Sequence, residues 1–244
     1  MEHLLNIKET AQILNVSEMT IRRWTNSGKL NCYRVGGKRE RRFRVRDLEK
    51  FLDDSQTHLL KPLGIGGHKV PDGSHMTHFY ADNTEGLDVA ISYLLEGTER
   101  DEALLAVMPP DRSRQLVADM KDQGHPVGDW LKSGRLSISA GMDSPEQMIQ
   151  FLAEFSVRTQ EFRLLGDMIW TIRRGWDMAA LSVLEQAPTL VAPVENGLLL
   201  CQYSLKDFSG AAIMMAAESH RQTIYKSRLE KSPYYKPRCC IKGA

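Results

Sequence analysis

Cysteine is scarce, four residues in 244, and no two stand in a Cys-x-x-Cys pair. That excludes a disulfide framework and leaves a reducing cytoplasm as the expected location. No run of about 18 apolar residues occurs, so no membrane span is read. The opening stretch, MEHLLNIKETAQ, lacks the basic-then-apolar order of a secretory signal. The strings that announce common catalytic loops are missing too: G-x-x-x-x-G-K-[ST], G-x-G-x-x-G, G-x-S-x-G and H-E-x-x-H. Without them no catalytic residue, cofactor or metal site is expected, and the chain reads as something other than an enzyme.

Net charge is also nearly absent, +1, but the total hides a division. Residues 1–52 hold twelve Lys+Arg against six Asp+Glu, a balance of +6; the remainder holds twenty against twenty-five, a balance of −5. A basic arm on an acidic body points to a nucleic-acid partner. The hydrophobic content of 42% is ordinary for a globular protein with a real core.

The basic arm has internal order. In NIKETAQILNV, Asn6 can cap a short helix, with Glu9 three residues on and Ala11, Ile13 or Leu14 inward. Asn15-Val16 makes the turn. Ser17 then caps a second helix, EMTIRRWTNSG, that stops near Gly28. Ile21 and Trp24 share its inner face, which turns Thr20, Arg22 and Arg23 elsewhere. Next, CYRV and RRFRV alternate in polarity around a Gly-Gly turn, predicting a hairpin. One face is expected to carry Tyr33, Val35, Phe43 and Val45, the other Arg34, Arg42 and Arg44, with Lys38, Arg39 and Arg41 at the tip. DLEKFLDD closes the unit as a helix with Leu48, Phe51 and Leu52 inward. Two helices, a tight turn and a basic hairpin make a winged helix-turn-helix over residues 1–53, suited to double-stranded DNA.

Residues 54–76, rich in Gly, Pro, Ser and His, read as a flexible linker. His58, His68 and His75 within it are not at ligand spacing. From 77 to 230, strands and helices alternate: HFYA, ALLAVM, RLSISA, RLLGDMIW and GLLLCQYSL as strands, with amphipathic stretches between them. Asp111 and Ser144 are read as helix caps. The alternation predicts a largely parallel sheet with helices on both faces, an α/β fold. His78, Tyr80, Asp167, Trp170, Cys201 and Tyr203 fall within or just after strands, where such sheets converge on one crevice suited to a small organic molecule. Residues 231–244, with adjacent Cys239 and Cys240, read as a frayed tail.

The string IRRWTNSGKL…YRVGGKRERRF resembles the excisionase and MerR-type winged helix-turn-helix family across residues 4–52. The resemblance implies base or groove contacts from Thr20, Arg22 and Arg23, and phosphate contacts from Arg34, Lys38, Arg39, Arg41 and Arg42. HFY, LLEGTERDEALLAV, RLLGDMIW and LLCQYSLKDFS, over roughly 76–225, resemble the MEDS domain, the sensory domain of methanogens and methylotrophs. The two together resemble DcmR-type transcriptional regulators. The resemblance implies a RecA/KaiC-like α/β sensory domain lacking a phosphate-binding loop, used to sense small carbon compounds. It matches His78, Tyr80, Glu102, Cys201, Gln202 and Tyr203 to family positions; Asp167 stands where glutamate is common, and Asp101 where glycine is. The expectation is a regulator, a repressor acting as a homodimer on an operator, with a small C1 or halogenated effector held by His78, Tyr80, Glu102, Asp167, Trp170, Cys201 and Tyr203. A DNA-localised protein-interaction adaptor and a degenerate nucleotide-binding RecA-like protein stand as alternatives.

Overall fold

The computed structural model describes residues 4–37, 40–55, 60–159, 161–187 and 197–236. The chain forms two compact units, Met1–His58 and Leu59–Ala244.

The first unit runs β1 (Leu5–Asn6), α1 (Ile7–Ile13), α2 (Glu18–Asn26), β2 (Tyr33–Val35), β3 (Glu40–Phe43) and α3 (Val45–Ser55). Asn6 accepts from the amides of Lys8 and Glu9, and the Glu9 carboxylate accepts from the Asn6 amide at 2.7 Å, a complete capping box. Asn15 takes φ +50° to turn the chain. Ser17 caps α2 by accepting from the Thr20 amide at 3.2 Å. Ala11, Ile21, Leu30, Phe43 and Leu48 form the core, with Trp24 and Phe51 packed on it at 4.9 Å between ring centroids. Each large apolar side chain enclosed this way contributes about 1.5–3 kcal/mol.

Three expectations need correction here. Ile13 and Leu52 face solvent rather than the core. β1 pairs antiparallel with β3, so the wing is three-stranded, in the order β1-β3-β2. The hairpin register sets Tyr33 opposite Arg42, Arg34 opposite Arg41 and Val35 opposite Glu40. Odd-numbered residues therefore face even-numbered ones, and Phe43 shares a face with Arg34 and Arg41 rather than with Tyr33 and Val35. A slip of one residue in the assumed pairing inverts every side chain on one strand. Tyr33, Val35 and Val45 are exposed, and Phe43 alone of the four is core.

The second unit begins with an antiparallel pair, β4 (Leu60–Pro62) and β5 (Lys69–Pro71). It continues with β6 (His75–Tyr80), α4 (Asn83–Thr98), β7 (Ala103–Val107), α5 (Pro110–Asp122), α6 (Val127–Ser133), β8 (Leu136–Ser139), α7 (Pro145–Arg158), β9 (Phe162–Asp167), α8 (Ile169–Arg173), α9 (Met178–Gln186), β10 (Gly197–Ser204), α10 (Gly210–Ser219), β11 (Gln222–Tyr225) and β12 (Arg228–Lys231). Seven strands form one sheet in the order β12-β11-β6-β10-β9-β7-β8, parallel except for the edge strand β12. Strand alternation splits the interior in two. Leu104, Ala106, Leu165, Leu198 and Leu200 pack under α4, α5 and α6. Leu105, Val107, Leu164, Leu199 and Tyr203 pack under α7, α8, α9 and α10.

The stretch expected as linker is largely built into this unit. Leu63, Ile65, Val70 and Met76 are buried in the first core. Arg163 donates to the carbonyls of Pro62 at 2.6 Å and Tyr93 at 3.1 Å, and Lys61 is enclosed among Asp72, Glu102 and Glu161 at 3.1–3.8 Å. Gly, Pro and His in 60–76 thus serve tight turns and buried pairs instead of flexibility; His58 lies outside the described residues. Order also passes residue 230: the Ser232 hydroxyl donates to the Ala217 carbonyl at 2.6 Å. Cys239 and Cys240 lie outside the described residues. α5 starts at Pro110 with Pro109 at its cap and no side-chain cap, so Asp111 sits in the first turn. Ser144 does cap α7. The strand read through Trp170 ends at Asp167, and Ile169 onward is helix.

Candidate nucleic-acid interface and effector cavity

In the helix-turn-helix, Ile21 and Trp24 pin the inner face of α2 and leave Arg22 and Arg23 exposed. Arg22 is braced by Glu18 one turn earlier, at 3.6 Å. The Thr20 hydroxyl lies 3.0 Å from that of Ser17, so it is spent on the helix start. In the wing, Arg42 pairs with Glu40 at 2.7 Å, and Arg41 donates to the Asn26 side chain at 2.6 Å, tying the hairpin to the end of α2. Arg34 is exposed and directly opposite Arg41. Like charges across a strand pair repel, and a polyanion between them relieves that cost. Lys38 and Arg39 lie outside the described residues. The arrangement presents a rigid, arginine-bearing helix and a basic hairpin on one small core.

In the α/β unit, alternation divides the expected effector residues between the two sheet faces and its two ends. His78, Gln202 and Asp167 point to the α4 side. Asp167 ends β9 and pairs with Arg112 of α5; Arg112 also donates to Asn83 at 2.8 Å and lies 5.5 Å from the Tyr80 ring. The Tyr80 hydroxyl donates to Asp167 at 3.4 Å. Burial pushes the Asp167 carboxyl above the usual carboxylate range, against the pull of Arg112. Gln202 Nε2 lies 3.0 Å from His78 Nδ1 and donates to the Gly86 carbonyl at 2.9 Å. Burial lowers His78 to about 4, so the imidazole is neutral near pH 7. A Cβ on Gly86 would come within 3.1 Å of both Tyr80 and Arg112, so glycine there lets α4 lie against this cluster. At the start of α4 the Glu85 amide is taken by Asp82 and the Ala81 amide by the Glu85 carboxylate. Those carboxylates occupy the ground a phosphate would need.

On the opposite face, His75, Glu185, Cys201 and Trp170 line a cavity of about 40 Å³ with Val107, Met148, Leu164 and Leu199 among its apolar walls. Tyr203 stands behind it, donating to the Glu185 carboxylate. Burial first, then the Glu185 charge, pushes the Cys201 thiol well up, and the same two causes raise the Tyr203 hydroxyl. His220 closes the group, 2.8 Å from His75 and 3.2 Å from Glu185. Glu102 belongs to neither cluster. It precedes β7, at the strand end remote from Asp167, and pairs with Arg163 with neither side chain exposed.

The expectation of one crevice thus fails on the two-residue period of strands. Tyr80 and Asp167 meet with Arg112 and Asn83. Trp170, Cys201 and Tyr203 meet with His75, Glu185 and His220. Arg112, Glu185 and His220 were not foreseen: each sits in or beside a helix with nothing local to distinguish it. His75, expected in a flexible linker, opens β6.

Two family models match the chain. One, described as the methanogen/methylotroph DcmR sensory domain (MEDS), covers residues 74–221; the other, a helix-turn-helix domain, covers residues 4–55. The transcriptional repressor DcmR of Methylorubrum extorquens is 32% identical across 98% of this chain and 95% of that protein. Among solved structures, a KaiC-like protein of Pyrococcus horikoshii superposes with a TM-score of 0.55 at 17% identity, covering 69% of this chain and 81% of that one. That likeness extends to the fold, a RecA/KaiC-like α/β sheet.

Proposed function

Because the chain belongs to the MEDS family, with a helix-turn-helix domain ahead of the sensory module, we propose that it is a DNA-binding transcriptional repressor controlled by a small one-carbon or halogenated organic compound. The carrying observation is the capped helix α2, whose inner face is fixed by Ile21 and Trp24 while Arg22 and Arg23 stand exposed. The α2 helix enters a major groove, and Arg34, Arg41 and Arg42 of the wing, together with Lys38 and Arg39, meet backbone phosphates. A unit of this size buries too little surface for tight specific binding alone, so two copies act on one operator.

The effector occupies the cavity beside Trp170 and Cys201. Its volume, about 40 Å³, accommodates roughly three water-sized groups, which suits a molecule of very few heavy atoms. Apolar walls with His75, Glu185 and Cys201 at one side suit a polarised carbon–halogen or carbon–oxygen bond. The Asp82 carboxylate on the Glu85 amide in the first turn of α4, and the Glu85 carboxylate on the Ala81 amide just ahead of the helix, argue against the nucleotide-binding alternative.

The test is a gel-shift titration of the full chain on DNA from upstream of its own gene, against random duplex, with and without dichloromethane, methanol or formaldehyde. Preference for the upstream DNA, weakened by one of these compounds, is expected. Equal affinity for both duplexes removes the repressor reading; preference that none of the compounds alters removes the effector reading.

A further inference from the structure

His75 of β6, Glu185 of α9, Cys201 of β10 and His220 at the C-cap of α10 are distant in sequence, yet each turns one ligand-type atom into a common space, all within 4.8 Å of one another. Three of the four are buried and the fourth, His75, is largely enclosed. We propose that these residues form a binding site for one divalent transition-metal ion of the zinc type, set in the wall of the cavity.

Four lines of geometry and chemistry carry this. The first is spacing. With metal–nitrogen and metal–oxygen bonds of about 2.0–2.2 Å and metal–sulfur of about 2.3 Å, tetrahedral ligands lie roughly 3.3–3.6 Å apart. The donor pairs here stand at 2.8 Å (His75–His220), 3.2 Å (His75–Cys201), 3.2 Å (His220–Glu185) and 4.0 Å (His75–Glu185), bracketing that value.

The second is the tautomer of His220. Its Nδ1 lies 2.8 Å from the Ala216 carbonyl oxygen. A carbonyl only accepts, so Nδ1 carries the hydrogen and the neutral ring presents the Nε2 lone pair to the cluster. Fixing the outer nitrogen on a backbone carbonyl is how ligating histidines are held. The third is outer support for the acid: the Tyr203 hydroxyl donates to one Glu185 oxygen and leaves the other toward the histidines.

The fourth is charge. Thiolate, carboxylate and two neutral imidazoles sum with a divalent cation to zero, which suits an enclosed site. Uptake of the ion releases the Cys201 thiol proton to solvent as the metal–sulfur bond forms; no electron is transferred. Mixed nitrogen, sulfur and oxygen donors select zinc and its neighbours over calcium or magnesium. The assignment rests on this cluster alone and stands whether or not the cavity binds an organic effector.

The test uses the full chain with Cys32, Cys239 and Cys240 all replaced by serine, so that Cys201 is the sole thiol. The protein is stripped with a chelator, checked for native far-ultraviolet circular dichroism, and titrated with cobalt(II). A thiolate-to-cobalt charge-transfer band that saturates at one ion per chain and is bleached by zinc is expected, with a rise in thermal midpoint. Tyr203→Phe, which removes only the hydroxyl on Glu185, weakens cobalt binding by about 10- to 100-fold. A folded single-cysteine protein that develops no such band with stoichiometric cobalt overturns the proposal, as does a Tyr203→Phe protein with unchanged affinity.

Discussion

Glu102 and Arg163 face each other with neither side chain exposed, the guanidinium Nε donating to the carboxylate. Arg163 also holds the carbonyls of Pro62, Leu63 and Tyr93, so the pair clamps the β4–β5 hairpin to the sheet. Removing one partner leaves a buried charge without compensation. Glu102→Ala therefore destabilises the α/β unit by about 3–5 kcal/mol, read as a lowered urea midpoint, while a residual folded fraction keeps the effector response. Loss of response with unchanged stability would return Glu102 to the sensing site.

His78 makes stability depend on pH. Burial sets its folded value at about 4, below the ordinary 6.5. The unfolded chain takes up a proton as pH falls through 6.5, and the folded state refuses it until about 4. Stability is full above pH 6.5 and declines between 6.5 and 4, by about 3 kcal/mol from this group. Comparing urea midpoints across that window for wild type and His78→Asn isolates the contribution, with the variant expected to have the flatter profile.

Much of this was legible in the sequence, and the failures have physical causes. Caps at Asn6, Ser17 and Ser144 are local chemistry, so α1, α2 and α7 begin where expected. The buried parallel strands β7, β9 and β10 announce themselves as apolar runs. Register is set by turn length, which polarity alternation leaves open, so Phe43 lies on the hairpin face opposite the expected one. Sheet order is not local either, so nothing in the sequence joined His75 to Glu185, 110 positions away, or Arg112 to Asp167. Asp101, noted where glycine is common, takes φ +61°, the conformation in which glycine is at ease.

The cavity should be sensitive to a single methylene. Val107 lines it, and Val107→Leu fills part of about 40 Å³ at a cost near 1 kcal/mol. Operator affinity of the full chain should be unchanged, with the effector concentration for half-release raised at least several-fold. A variant that responds as wild type does would move the effector elsewhere.

Ser17 tests the positioning of α2 separately from its charge. Ser17→Ala removes the acceptor for the Thr20 amide and should lower the stability of the first unit by about 1 kcal/mol. Ser17→Asp, which keeps an acceptor, should retain it. Thermal melts of the full chain read the difference.

The central claim is that Arg22 and Arg23 on α2 face DNA. Fluorescence-anisotropy titrations of the full chain on operator DNA, repeated across salt concentrations, measure it most directly. Arg22→Ala with Arg23→Ala should lose several kcal/mol of discrimination over random duplex if both read base edges, at about 1–3 kcal/mol each. For each of the two that instead meets a phosphate, the salt slope should fall by about 0.9 per copy. Unaltered affinity, discrimination and salt slope in a folded double variant would contradict the account.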